Sequence, residues 1–309
     1  MSSSSRQHLI ERAAGMLGGS DGISLAGAPP GLEAGPISPP PLDEAVKAPA
    51  PQSVTAAPPA PAVSLAALQR AGLTHANDRR GRQVLEQLGL IHHQVVRCID
   101  EARAEPEARR RVVLVASALR QEGRSFIALN IAAGIASNNA RPVLLVDADG
   151  RAGGMTSLLG LTERTGLRDM VAVPGMAADS VIVPTGVRRL SFVPHGAVNR
   201  RDAPAGSTMA HAILRLAAAL PQHVIIIDPP SCLSSSDCSA LAAASGQVVL
   251  VVDAQRTRTD EVEAALDVLD ACPISRLLLN RMRLDSPDTY GAQSDTYGAQ
   301  SGDGLTNAA

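Results

Sequence analysis

The stretch Arg111-Val-Val-Leu-Val-Ala-Ser-Ala-Leu-Arg-Gln-Glu-Gly-Arg-Ser125 constrains this chain more than any other part of it. Val112–Ala116 is an unbroken apolar run, the pattern of a strand covered on both faces. A tight polar loop follows, and Ser125–Ala136 reads as a helix. Strand, loop and helix with Gly-Arg-Ser at the helix start form the layout of a phosphate-binding P-loop. In such a loop, backbone N–H groups cradle phosphates and a Ser/Thr hydroxyl meets Mg²⁺. The signature is G-x-x-x-x-G-K-[ST]; here Ala118 stands for the first Gly and Arg124 for the Lys. Candidate nucleotide contacts are therefore Ala118, Gln121, Glu122, Gly123, Arg124, Ser125 and Phe126, with Ser125 also a candidate Mg²⁺ ligand.

Beyond the loop, apolar strands and helices alternate. Val143–Val146 reads as a strand ending in Asp147-Ala-Asp149, and Leu190–Val193 as another. Met209–Leu220 reads as a helix. Val224–Ile227 is a strand ending in Asp228-Pro-Pro, and Val248–Val252 one ending at Asp253. Asp260–Leu269 reads as a helix, and Leu277–Leu279 as a last strand ending in Asn280-Arg281. This alternation predicts a mostly parallel sheet with helices on both faces, an α/β fold of the P-loop NTPase kind. Ligands in such sheets bind at the carboxyl ends of the strands. That is where this chain carries its polar residues. Asp147 and Asp149, at i and i+2, share a side of the sheet and suit metal or proton work. Asp228 has the form of a Walker B carboxylate that reaches Mg²⁺, and the Asn280 amide suits an adenine edge. Taken singly, a strand-end Asp is as readily a helix cap or a turn former; the order and spacing carry the reading.

The rest of the 309 residues bounds the answer. Half of the 22 prolines fall between Pro29 and Pro61, among Ala, Gly and Ser. Such a segment buries too little apolar surface to offset its chain entropy. The expected organisation is a short helix (Gln7–Leu17) and disordered linker over 1–62, a helical lead-in over 63–105, the α/β domain over 106–284 and a flexible tail over 285–309. The lead-in has apolar residues at helical spacing over 76–103, and the tail holds Asp-Thr-Tyr-Gly-Ala-Gln-Ser twice, with Tyr290 and Tyr297. A net charge of -2 gives no global attraction to nucleic acid. With no Trp, two Phe and two Tyr there is no platform for stacking bases. Arg109-Arg110-Arg111 and Arg200-Arg201 read as solvated surface. The four cysteines lack metal spacing and read as reduced and structural, which fits the cytoplasm. No apolar run reaches the roughly 18–20 residues of a membrane span, and no signal-peptide core is present. Direct membrane insertion is not expected, and attachment to the inner membrane would be peripheral, through a partner.

On these motifs a family resemblance can be named. Val115-Ala-Ser-Ala118, Glu122-Gly-Arg-Ser125, Leu144-Leu-Val-Asp-Ala-Asp149, Ile226-Ile-Asp-Pro-Pro230 and Leu278-Leu-Asn280 resemble the MinD/ParA-like deviant Walker ATPases. Among these the chain is most similar to the bacterial tyrosine autokinases of exopolysaccharide biosynthesis. The exosortase-associated branch is nearest, since it opens with a helix like Leu9-Ile-Glu-Arg-Ala13 and a Pro/Ala-rich linker. The resemblance implies ATP and Mg²⁺ as cofactors, with Ser125, Asp147 and Asp228 at the metal. Arg124, Asp147 and Asp149 would be catalytic, and Tyr290 and Tyr297 would be the phosphoacceptors, presented to a neighbour in a homo-oligomeric ring. It also implies a chain-length-determinant-type membrane protein as partner, through its cytoplasmic end.

The chain departs from the family pattern at several positions. Arg120-Gln121 replaces Pro-Gly, and Gln121 carries strain if its position needs positive φ. Arg124 replaces Lys, and a planar fork is not equivalent to a compact ammonium. Loss of one well-placed transition-state contact costs about 10²–10³ in rate. Gly150-Arg-Ala-Gly-Gly154 stands where an Arg-Pro turn is usual, the tail has two tyrosines rather than a dense cluster, and Gly89 sits where an Arg would help ring assembly. Three readings stay open: a tyrosine autokinase with a weakened site, a nucleotide-binding pseudokinase scaffold of the polysaccharide machinery, and a MinD/ParA-type positioning ATPase. Exposed tail tyrosines favour the first over the second, unless the repeat is only a duplication. Arg120 in place of an early loop Lys counts against the third.

Overall fold

The computed structural model describes residues 62–138, 141–173, 175–196 and 206–282. The expected Gln7–Leu17 helix, the Pro-rich linker, Arg200-Arg201 and the tail repeat with Tyr290 and Tyr297 lie outside the described residues.

Seven strands form one sheet: β1 (Val112–Ser117), β2 (Val143–Asp147), β3 (Val183–Pro184), β4 (Leu190–Val193), β5 (Val224–Asp228), β6 (Gln247–Asp253) and β7 (Ser275–Asn280). Their order is β3-β4-β2-β5-β1-β6-β7, parallel throughout except for the β3–β4 pair. The continuous apolar runs of β1, β2, β5 and β6 are explained by burial on both faces. Alternate residues enter two separate cores: Leu114, Leu144, Ile225 and Leu250 on one face, Val113, Leu145, Ile226 and Val249 on the other. Sequence reading placed these strands within one or two residues. It missed β3, a two-residue edge strand whose Pro184 is tolerated because an edge needs no donor on its outer side.

Helix α1 (Leu65–Arg70) and helix α2 (Arg79–Glu101) precede the sheet, followed by the single turn α3 (Glu107–Arg110). The Ser64 hydroxyl accepts from Ala67 N–H to start α1, and Asp78 accepts from Gly81 N–H at 2.6 Å to start α2. Helix α4 (Arg124–Asn138) follows the P-loop and is buried on nearly all sides. A helix apolar all round needs cover beyond the sheet. Here α2 supplies it, with Leu88, Val95 and Ile99 in the same core as Ile127, Ile131 and Ile135. Residues 63–105 thus share a core with the domain that follows. Val63 also bridges to Thr185 beyond β3, covering that sheet edge. The opposite face is covered by α7 (Gly206–Ala219), α8 (Asp237–Ala243) and α9 (Thr259–Leu269), the short helices α5 (Met155–Leu158) and α6 (Leu167–Ala172) lying between β2 and β3. Among the described residues no helix is long and apolar enough to cross a membrane.

One expectation is corrected. Arg109 and Arg111 are not solvated surface. Arg111 is buried and its guanidinium donates to the carbonyl of Ala217 at the end of α7 and to those of Leu220 and His223 just beyond it. Arg109 donates to the carbonyls of Ser245 and Ala271. The last carbonyls of a helix have no partner in their own helix and attract cations, which a local sequence pattern does not reveal. The four cysteines are free and buried.

Candidate functional site: a P-loop cleft closed by an arginine

The loop leaves the carboxyl end of β1, the central strand between β5 and β6, and enters α4. Two strand-end pairs flank it in parallel register: Asp147 beside Asp228 on one side, Asp253 beside Asn280 on the other. Gln121 takes φ +66°, so the strain foreseen for a non-Gly residue is present. The left-handed region costs an L-residue about 1–2 kcal/mol. Gly123 takes φ +94°, and a Cβ there would collide with the Asn280 amide. No other residue fits that position unchanged.

Arg124 turns inward rather than toward solvent. Its side chain is 4% exposed, with Nε 2.7 Å from Asp228 Oδ1 and Nη2 2.9 Å from Asp149 Oδ2. Nη1 donates to Ser117 Oγ at 3.3 Å. Burial works against the charged form of Arg124, but Asp228 and then Asp149 outweigh it and raise its pKa. The guanidinium is therefore a permanent buried cation. Burial pushes the Asp228 carboxyl upward, with Arg124 opposing and Asp147 adding to the rise. The nearby Ser125 hydroxyl, like Arg124, works against that rise. Asp149, 13% exposed, is shared with Arg151 at 3.2 Å.

Asp147 is held by neutral donors. Oδ1 accepts from the N–H groups of Asp149 (3.0 Å) and Gly150 (3.3 Å), and Oδ2 from Thr156 N–H (2.8 Å) and Oγ1 (2.7 Å). Thr156 Oγ1 in turn accepts from His195 N–H at 2.9 Å. Gly150 packs on the His195 ring at φ +60°, where a Cβ would strike the imidazole. The ring is buried with Nδ1 unpartnered, and burial lowers its pKa despite Asp147 nearby.

Behind the loop, Glu122 is fully buried and points away from the cleft. Its carboxylate accepts from Leu119 N–H at 2.6 Å, from Asp253 N–H at 3.4 Å and from the Thr257 hydroxyl. Asn280 Nδ2 donates to the Glu122 carbonyl at 2.8 Å and its oxygen accepts from Arg281 N–H. The Asn280 amide named for a base edge is thus spent on the loop. Arg281 pairs with Asp253 at 2.7 Å. Ala118 is buried, its carbonyl accepting from Leu233 N–H.

The resulting cavity, about 330 Å³, is lined by the loop (Gln121, Gly123, Ser125), by Ser117 and Phe126, and by the arginines 124, 151 and 281. Among the described residues no carboxylate lines it. Of the residues named from sequence, Gln121, Gly123, Arg124, Ser125 and Phe126 line the cavity, while Ala118, Glu122 and Asn280 stand behind it. Asp147, Asp149 and Asp228 lie beneath. Tyr290 and Tyr297 are outside the described residues. Thr156, His195, Arg151 and Arg281 were not named. Arg151 and Arg281 directly follow noticed motifs, but Thr156 and His195 carry no sequence signal for a place beside Asp147.

Mg²⁺ takes oxygen ligands and is held through one or two carboxylates together with phosphates and water. Ser125 and Asp228 are adjacent, as that role requires. The near carboxylates, however, are engaged by Arg124 and by backbone donors. Among the described residues no group of three His, Cys, Asp or Glu side chains has the geometry to hold a metal. With Asp228 and Asp149 both paired to Arg124, the carboxylates so arranged do not fit a divalent cation.

No protein-family model matches the chain. Tyrosine-protein kinase wzc of Salmonella typhimurium is 27% identical over 164 residues, 53% of this chain and 22% of that protein. Succinoglycan biosynthesis transport protein ExoP of Rhizobium meliloti is 31% identical over 48% of this chain and 19% of its own length. The chain thus spans about a fifth of the length of these curated relatives. Tyrosine-protein kinase YwqD of Bacillus subtilis is 24% identical over 58% of this chain and 76% of its own. Among solved structures, the kinase domain of Escherichia coli tyrosine kinase ETK superposes with a TM-score of 0.49 at 21% identity, over 62% of this chain and 75% of that one. By sequence, this chain is similar to the bacterial tyrosine-protein kinases, the family its motifs resemble.

Proposed function

We propose that this chain is a nucleotide-binding regulatory protein of an exopolysaccharide polymerisation or export system, built on the tyrosine-autokinase plan, with phosphoryl transfer suppressed. The observation that carries the reading is Arg124, bound at once by Asp228 and Asp149. What supports phosphate binding is a cavity at the start of α4 lined by the loop residues Gln121, Gly123 and Ser125 and by three arginines. The carboxylates expected to serve metal and proton transfer are engaged. Its partner would be the cytoplasmic end of a chain-length-determinant-type membrane protein, and its signal would be nucleotide occupancy. The test pairs ATP binding by calorimetry with mass spectrometry after incubation with ATP–Mg²⁺ and the partner's cytoplasmic segment. Saturable binding without phosphate on Tyr290 or Tyr297 is expected.

A second reading, the slow tyrosine autokinase, is favoured by the duplicated Asp-Thr-Tyr-Gly-Ala-Gln-Ser tail. It requires Arg124 to leave both carboxylates. Phosphate on either tyrosine, rising in Arg124→Lys, would replace the first reading with this one.

A further inference from the structure

We infer that the cleft takes its phosphate ligand as a free anion, Arg124 supplying the charge that a divalent cation would otherwise bring; this rests on the nucleotide-site reading above. Among the described residues the cavity wall carries three guanidinium groups and no carboxylate. A metal–nucleotide site needs the reverse, anionic oxygens turned toward the metal. Here Asp228 and Asp149 face Arg124 at 2.7 and 2.9 Å, and Asp149 also faces Arg151. Both oxygens of Asp147 are filled by N–H and O–H donors, and Asp253 is paired with Arg281. A dication entering beside Asp228 would meet a buried guanidinium competing for the same oxygens.

The arginine fork explains how one residue can do this. A guanidinium has five N–H donors in a plane. Three are directed to Asp228, Asp149 and Ser117. The other two belong to Nη1 and Nη2 of a residue on the cavity wall. An ammonium offers three donors around one point, so serving Asp228, Asp149 and Ser117 together would leave it none for the cavity. The Arg for Lys exchange and the engaged carboxylates are on this view one adaptation. The ligand class is a nucleoside di- or triphosphate bound through its phosphate chain.

The experiment is a calorimetric titration of the full chain with ATP, in Mg²⁺ and in EDTA at matched ionic strength. Affinities within about threefold of each other are expected, since the charge-assisted contacts come from the protein. Binding about tenfold or more weaker in EDTA would overturn the inference and leave the nucleotide reading standing. Absence of ATP binding in both buffers would overturn both. Arg124→Lys should lose about tenfold or more in EDTA and regain affinity on adding Mg²⁺, because the freed carboxylates then accept the metal. Equal binding by Arg124→Lys in the two buffers would count against the inference. Should that variant not fold, Arg151→Ala gives the second reading: a loss above about threefold in EDTA supports a cation-built site, and no loss overturns it.

Discussion

The loop after β1 is flanked by two pairs of strand ends with the same topology and opposite roles. On one side Asp147 and Asp228 lie next to each other in register; on the other, Asp253 and Asn280 do. The first pair lies under the cleft beside a buried guanidinium. The second lies near the open edge of the sheet, and its cation, Arg281, is half exposed. On the reading proposed above, the first pair decides what the cleft can bind. The second grips the back of the loop through Glu122 and sets its shape. A polar strand end therefore has no role of its own; the depth of the partner facing it assigns one.

The largest break in this comparison should come from Arg124→Ala. It would leave Asp228 buried without its partner, and removing one member of a buried pair costs about 3–5 kcal/mol. Urea denaturation would read that loss, and a loss under about 1 kcal/mol would mean that the pair is not formed in solution. Asp147→Ala comes next. It strips the acceptors from Thr156 and from the Asp149 and Gly150 amides, for about 2 kcal/mol by the same measurement. Glu122→Gln tests the back of the loop. It weakens charge-assisted bonds from Leu119 and Thr257 and should cost about 1–2 kcal/mol, with hydrogen exchange quickening at Leu119.

A gentler probe is pH. Burial lowers the pKa of His195, as it does those of His92 and His223, from the ordinary 6.5. The unfolded chain then takes up protons more readily than the folded one. The contribution of these residues is whole above pH 6.5 and is lost as the pH falls from there through the lower folded values. Melting temperatures should decline from about pH 7 to about pH 5.5, and His195→Asn should make the decline shallower. The smallest effect belongs to the other side: Arg281→Ala removes a half-exposed partner of Asp253 and should cost under about 1 kcal/mol. A larger cost would erase the contrast between the two sides.

Much of the fold was legible because its signal is local. The runs Val112–Ala116, Val143–Val146 and Val248–Val252 are continuous because both faces are covered. Their polar ends mark the side of the sheet where a ligand binds. Gly123 was legible for a related reason, since a tight turn against a neighbour has one small solution. Arg109 and Arg111 misled, because the carbonyls they bind lie at or just past helix ends more than a hundred residues away in sequence. Edge strand β3 was missed because two residues carry no periodicity. Thr156 lies on a short helix with no motif, yet holds Asp147 with two hydrogen bonds.

Sequence alone determined the order of strands and helices, the phosphate loop and its altered letters, and the aspartates that end the strands. Hydrophobic periodicity and glycine geometry are properties of neighbouring residues, so they survive being read one residue at a time. Only the tertiary structure decided what the altered letter contacts. Whether Arg124 faces a phosphate or a carboxylate depends on Asp149 and Asp228, which reach it from two other strands. Charges buried together fall into the pairing that leaves none alone, and that pairing exists only once β1, β2 and β5 lie side by side.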